Sequence, residues 1–113
     1  HESVAACEKE LTKAAMAENI MIDCSHGNSR KNHANQEHVL NDVAQQIIDG
    51  NQSIIGVMLE SNLVEGNQAI PDNLDEIQYG ISVTDACIGW EDTETVLREF
   101  AKSVSAKLKS RAA

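Results

Sequence analysis

Two apolar runs of strand length, separated by an amphipathic helical pattern, constrain this sequence more than any other feature. The first run covers residues 20–24, and the second covers residues 53–59, where nearly every side chain is apolar. A strand, a crossover helix and a second strand form a βαβ unit, in which the two strands are parallel. The nearly all-apolar second run predicts a strand that is buried on both faces.

The crossover helix is predicted from its apolar spacing and its end signals. Asn35 is placed to cap the helix and Gly50 is placed to end it. Its apolar residues Val39, Val43 and Ile47 recur every four residues, and Leu40 and Ala44 widen the apolar face that they form.

Two further helices are predicted at the ends of the chain. The first covers residues 2 to about 19, and the last begins near Trp90 with Asp92 as its cap. The predicted buried side of the last helix consists of Val96, Leu97, Phe100, Ala101, Val104 and Leu108. Its basic tail (Lys107, Lys109, Arg111) complements the negative end of the helix dipole. The sequence therefore predicts an α/β fold with two parallel strands and flanking helices.

Three polar residues are predicted to meet at one edge of the sheet. His26 follows the first strand and Glu60 ends the second, while Asp85 lies in the segment that must cross the same edge. Open α/β sheets and barrels bind their ligands at this edge. One imidazole and two carboxylates suit a divalent cation such as manganese, iron, cobalt or zinc.

Ordinary structural roles remain open for these residues on spacing alone. A histidine in a loop is more often exposed than a ligand, and Asp85 could simply form a turn. Glu60 is the stronger candidate, because a carboxylate that closes an apolar strand is costly to bury without a partner. The pattern places four others at the surface: His33, His38, Glu65 and Glu91.

Charge and cysteine content narrow the class of protein. A net charge of −9 without a basic stripe disfavours a nucleic-acid partner, and no apolar run is long enough for a membrane span. Cys7, Cys24 and Cys87 form no closely spaced pair, which favours free thiols in a reducing cytoplasm.

Three longer blocks resemble one enzyme family. They are MIDCSHGNSRK from Met21, IIGVMLESNLVEGNQ from Ile54 and YGISVTDACIGWEDT from Tyr79. Together they resemble the C-terminal signature blocks of the type I 3-deoxy-D-arabino-heptulosonate 7-phosphate (DAHP) synthases, in the same order and with matching spacing. The resemblance extends over essentially the whole chain.

The resemblance implies a fold and a domain boundary. The family folds as a (β/α)8 TIM barrel in a chain two to three times as long. Residues 1–113 would then be the C-terminal third of a single barrel domain, with His1 as a truncation point and the upstream part absent.

The resemblance also implies a metal site. The family's ligands correspond to His26, Glu60 and Asp85, and its fourth ligand is a cysteine that would lie upstream. Cys24 is not expected to replace that cysteine, and Cys87 is expected near the pocket without being a ligand. Arg30 and Lys31 are expected in a solvated loop and not in contact with substrate.

The implied activity is the first step of the shikimate pathway towards aromatic amino acids. The intact enzyme would condense phosphoenolpyruvate with erythrose 4-phosphate, release phosphate and respond to an aromatic amino acid that binds outside this segment. The resemblance further implies a cytoplasmic homo-oligomer. The segment alone is expected to be inactive, to bind divalent metal weakly and to self-associate through its exposed strand edges.

The alternative is a small, self-standing α/β binding module without catalysis. Short length and the lack of phosphate-binding Arg and Lys clusters favour this alternative. The reading frame upstream of His1 discriminates between the two hypotheses.

Overall fold

Three helices and two strands alternate along the chain in the computed structural model, which describes residues 2–27 and 32–112. In order they are α1 (Glu2–Lys13), β1 (Ile20–Asp23), α2 (Gln36–Ile48), β2 (Ile54–Met58) and α3 (Trp90–Ala112). Short 3-10 turns cover His33–Asn35 and Leu74–Glu76. The predicted α/β order is confirmed.

The two strands pair in parallel, as predicted. Ile20 faces Ile54, and a shift in register after Ile20 then places Met21 opposite Gly56. Beyond β1, the backbone N–H of Cys24 donates to the Met58 carbonyl at 2.8 Å, which extends the pairing by one residue. Both strands therefore end at the same edge of the sheet.

The core lies between the sheet and the helices, in two adjoining clusters. The first cluster joins all three helices to the starts of the strands: Val4, Ile20, Val43, Ala44, Ile47, Ile54 and Val104. The second lies nearer the strand ends: Cys24, Leu40, Ile88 and Val96. Apolar burial in these clusters fixes α2 and α3 against one face of the sheet.

The other face of the sheet is open, so the prediction that the second strand is buried on both faces is wrong. Met21 and Ile55 are 66% and 63% exposed, and Ile54 is the one fully buried residue of β2. The radius of gyration is 16.8 Å, whereas a compact domain of this length has about 13 Å. The chain is thus more extended and more open than a self-contained domain.

Helix α1 ends six residues earlier than predicted, at Lys13 instead of about residue 19. Ala15 takes a left-handed conformation with φ of 58°. The N–H of Met16 donates to the Leu11 carbonyl and that of Ala15 donates to the Thr12 carbonyl. These two bonds form a Schellman motif, which closes the helix without the glycine that usually occupies this position.

The predicted ends of α2 are partly confirmed. Gly50 follows the helix with a φ of +114°, a conformation that favours glycine. Asn35 precedes the helix but its side chain makes no capping hydrogen bond. The cap instead belongs to the preceding 3-10 turn, where the Asn32 side chain accepts from the N–H of Ala34 at 3.1 Å.

Helix α3 begins at Trp90 as predicted, but its buried face is narrower than expected. Val96 and Val104 are buried and Phe100 is half-buried, whereas Leu97 and Leu108 are both 42% exposed. Ala101 is exposed too, and Asp92 lies inside the first turn and not at the cap.

The last turn of α3 is tied to the start of β2. There the Arg111 guanidinium donates to the carbonyls of Ile54, at 2.8 Å, and Asn51. In the described part of the chain, no helix combines the length and apolar character needed to cross a bilayer.

The stretch between β2 and α3 folds back on itself through isolated bridges. Ser61 pairs with Ile88, Gly66 with Cys87 and Asn67 with Ser82. The Gln68 side chain stabilises the part of this stretch that lies farthest from the strands. Its amide nitrogen donates to the carbonyls of Gln78 and Ile81, and its oxygen accepts from the N–H of Gln78. This folding returns Asp85 to the strand edge.

Substituting Val104 by alanine should lower the free energy of unfolding. The side chain is buried in the cluster that joins α3 to β1 and β2, so losing two methyl groups should cost about 2 kcal/mol. Leu108→Ala, on an exposed part of the same helix, should cost less than about 0.5 kcal/mol. Urea unfolding at fixed protein concentration measures both, and equal costs would contradict this core assignment.

Candidate metal centre

His26, Glu60 and Asp85 meet at the edge where both strands end. Each offers one donor atom, and the three atoms lie within 4.8 Å of one another. His26 Nε2 is 3.3 Å from Glu60 Oε1 and 3.1 Å from Asp85 Oδ2. The structure therefore brings together all three residues that the sequence predicted for the site.

A tight turn directly after β1 presents His26. The Asp23 carboxylate accepts from the backbone N–H of Ser25 at 2.8 Å, which forms an Asx turn. His26 follows in a left-handed conformation with φ of 49°. Residues other than glycine rarely adopt this conformation, and those that do cluster at functional sites.

Asp23 also orients the His26 ring. Its Oδ2 lies 3.1 Å from His26 Nδ1, and the Ser25 hydroxyl lies 2.7 Å from the same nitrogen. With Nδ1 engaged on this side, Nε2 points towards Glu60 and Asp85. Histidines that bind metals are commonly held this way, with a carboxylate on the ring nitrogen that does not bind the metal.

The electrostatics of the site favour positive charge. The pKa of His26 is raised, first by its hydrogen bond to the Asp23 carboxylate, then by the negative charge of Glu60 and by its hydrogen bond to the Asp85 carboxylate. The pKa of Asp23 is lowered, chiefly by the hydroxyl of Ser25. One imidazole thus faces three carboxylates, and either a proton or a metal cation can compensate their charge.

Glu60 is held by its backbone. Its N–H donates to the Gln36 side chain at 2.7 Å, and its carbonyl accepts from the same side chain at 3.0 Å. The N–H of Ile88 donates to that carbonyl as well, at 3.0 Å. Sequence reasoning missed Gln36, although a glutamine one turn before Leu40 on the apolar stripe of α2 was a detectable anomaly.

Asp85 reaches the site on the folded-back segment. Paired hydrogen bonds between Gly66 and Cys87 hold the chain just after it, and the Asn67 amide donates to the Thr84 carbonyl at 3.0 Å just before it. Asp85 lies at a bend between these contacts, and its carboxylate faces His26 there.

The three donors line an open cavity of about 340 Å³. Its other lining residues are Ser25, His33, Asn67 and Ala86. His33 was expected at the surface, but it is half-buried on the cavity wall. Its Nε2 lies 2.9 Å from Glu65 Oε1. His38 and Glu91 are exposed as expected. Arg30 and Lys31 lie outside the described residues.

The cysteines lie outside the donor cluster. Cys24 is fully buried in the core, and burial raises the pKa of its thiol to about 11. Cys87 is buried beside the cavity without lining it, and its thiol donates to the Asp85 carbonyl at 3.5 Å. Burial also raises the pKa of Cys87. Neither thiol belongs to the donor cluster of His26, Glu60 and Asp85.

Comparison with known proteins identifies relatives over nearly all of the chain. The family model described as "DAHP synthetase I family" matches residues 1–98. The Tyr-sensitive phospho-2-dehydro-3-deoxyheptonate aldolase of Enterobacter agglomerans is 53% identical over 110 residues, covering 97% of this chain and 52% of that protein. The Tyr-sensitive protein of Escherichia coli K12 is 50% identical over 110 residues, covering 97% of this chain and 31% of that protein.

A solved structure supports the same relationship. Phospho-2-dehydro-3-deoxyheptonate aldolase from Francisella tularensis SCHU S4 superposes with a TM-score of 0.84 at 46% identity. The match covers 94% of this chain and 30% of that one. The chain therefore spans about a third to a half of the length of these relatives.

The burial pattern predicts how the thiols react with an alkylating reagent. Cys7 is exposed and should be modified within minutes at pH 8, whereas Cys24 should stay protected because it is buried and protonated. Peptide mass spectrometry after timed iodoacetamide treatment, with a urea-unfolded sample as control, measures each site. Equal native rates at Cys7 and Cys24 would contradict the packing described here.

Proposed function

The chain belongs to the DAHP synthetase I family, and from this premise we propose that it is the C-terminal part of a metal-dependent DAHP synthase. The intact enzyme condenses phosphoenolpyruvate with erythrose 4-phosphate and releases phosphate. The observation that supports the proposal most is the convergence of His26, Glu60 and Asp85 at one strand edge. The same edge holds the active site of TIM-barrel enzymes.

The proposed fold of the whole domain is a (β/α)8 barrel, of which residues 1–113 form the last third. Two parallel strands with helices on one face are the repeating unit of such a barrel. The open sheet face around Met21 and Ile55 and the extended shape of the chain support the presence of further strands. The same two features argue against a self-standing binding module.

The donor set fits a borderline divalent cation. His26, Glu60 and Asp85 provide one nitrogen and two carboxylate oxygens, a combination that manganese, iron, cobalt and zinc accept. A fourth ligand, a cysteine, is proposed on the upstream part of the enzyme. When bound, such a cation supplies Lewis acidity that can polarise the aldehyde oxygen of erythrose 4-phosphate.

The residues of this chain have separable tasks in the proposed site. Asp23 fixes the His26 ring so that Nε2 faces the cavity, and Glu60 and Asp85 supply the negative charge that retains a cation. Within the described residues, no arginine or lysine lines the cavity. Following the family resemblance, most of the cationic side chains that bind the two substrate phosphates are proposed to lie in the upstream part.

Regulation, assembly and location follow the family resemblance. The two relatives named Tyr-sensitive support an aromatic amino acid as effector. We place its binding site upstream of this chain and propose a cytoplasmic homo-oligomer.

Replacing His26 by alanine in the complete enzyme should abolish metal-dependent turnover. Loss of the only nitrogen in the donor set should reduce both bound metal and phosphate release by more than about 100-fold. His38→Ala, at an exposed position of α2, is the matched control and should leave both unchanged. Metal analysis and a phosphate-release assay with both substrates measure the effect. Full metal content and turnover in His26→Ala would refute the assignment.

The 113-residue chain alone should be inactive and should self-associate. Its open sheet face and exposed strand edges lack the covering strands of a barrel. Sedimentation at micromolar concentration should show oligomers, and added manganese should give no phosphate release from the two substrates. A compact monomer would contradict the first expectation, and appreciable phosphate release would contradict the second.

A further inference from the structure

Gln36 is a polar side chain in an apolar position. It is the first residue of α2 and is 0% exposed. It lies on the same buried stripe as Leu40, Val43, Ala44 and Ile47. Burying an amide among apolar side chains is unfavourable unless its donor and acceptor both find partners. The partners of Gln36 therefore indicate why an amide lies here.

Both partners of Gln36 belong to the peptide backbone of Glu60. The side-chain oxygen accepts from the Glu60 N–H at 2.7 Å, and the side-chain nitrogen donates to the Glu60 carbonyl at 3.0 Å. Because a backbone N–H only donates and a carbonyl only accepts, the amide has one orientation here. Gln36 thus holds one residue at two points, and that residue is a candidate ligand.

This contact begins where the strand pairing stops. The last hydrogen bond between the β1 and β2 regions joins Cys24 to Met58. Glu60 lies two residues beyond it, so the sheet no longer fixes its position. The side chain of Gln36, at the start of α2, makes two hydrogen bonds to the Glu60 backbone. The N–H of Ile88, in the segment that also contains Asp85, donates to the Glu60 carbonyl. The Glu60 peptide consequently joins the start of α2 to the segment that carries Asp85.

We propose that Gln36 is a positioning residue of the metal centre: its side-chain amide fixes the Glu60 backbone so that the carboxylate meets His26 and Asp85. This inference rests on the proposed function, because it assigns Gln36 a role in metal binding at the same site. Metal affinity should therefore depend on Gln36 through Glu60, although Gln36 offers no donor atom to the metal.

A purely structural role makes a different prediction. If Gln36 only stabilised the fold, its loss would weaken the metal site equally whether or not the Glu60 carboxylate is present. A double-mutant cycle between Gln36 and Glu60 separates the two roles, since it measures whether one residue acts through the other.

The experiment measures Mn²⁺ affinity of the complete enzyme by calorimetry. Gln36→Met keeps the shape of the side chain and removes both hydrogen bonds, and it should weaken Mn²⁺ binding by about 10- to 100-fold. Gln46→Met, on the same helix, removes a side-chain amide that donates to Asp42 and should leave the affinity unchanged. In a Glu60→Ala background, Gln36→Met should cause no further loss.

The outcomes separate this inference from the proposed function. Unchanged Mn²⁺ affinity in Gln36→Met, or an equal loss with and without the Glu60 carboxylate, would overturn the role of Gln36. Full Mn²⁺ binding in His26→Ala would instead refute the metal centre itself. Should Gln36→Met fail to fold, Gln36→Asn takes its place in the same cycle, because its shorter amide keeps a polar group but cannot reach Glu60.

Discussion

Parallel pairing of β1 with β2 is the constraint on which the rest of the structure depends. Because the two strands run in the same direction, the residues that follow them emerge at one edge of the sheet. His26 and Glu60 would lie at opposite ends of the sheet if the pairing were antiparallel. The helix that makes the parallel connection, α2, also supplies Gln36 at its first turn, so the crossover both joins the strands and supports the site.

Beyond the strand ends, polar contacts and not sheet hydrogen bonds hold the site residues in position. The Asx turn at Asp23 sets the backbone ahead of His26, and the same carboxylate engages the imidazole. One carboxylate, three positions before the histidine, therefore controls both the turn and the orientation of the ring. Asp85 needs a longer route, through the pairing of Gly66 with Cys87. Together these contacts concentrate negative charge around a single imidazole, which is the electrostatic basis for a cation site.

Apolar period and chain direction predicted the order of helices and strands and the convergence of His26, Glu60 and Asp85 at one strand edge. Their role as metal ligands was implied by the family resemblance and not by spacing. The end of α1 was not predicted, because the left-handed residue that closes the helix is Ala15, whereas this position is usually marked by a glycine in the sequence. Leu97 and Leu108 were assigned to a buried face on periodicity, but the structure provides too few neighbours to cover a 23-residue helix. Apolar periodicity reports which side chains favour burial and not whether a partner surface exists.

The supporting residues were harder to predict than the candidate ligands. Gln36 and Asp23 act through hydrogen bonds to residues that periodicity does not relate to them. His33 lines the cavity from the first position of the 3-10 turn before α2. Each left a weak trace in the sequence: an amide on an apolar stripe, an Asp two residues before a serine, and a histidine next to a helix start.

The central claim is that this strand edge forms a divalent metal site. Crystals of the complete enzyme grown with manganese, with diffraction data collected at the manganese absorption edge, test it most directly. We expect an anomalous peak from a manganese ion that is coordinated by His26 Nε2 and by the carboxylates of Glu60 and Asp85. A manganese peak that avoids these three residues, or their continued direct contact with one another in a manganese-bound active enzyme, would contradict it.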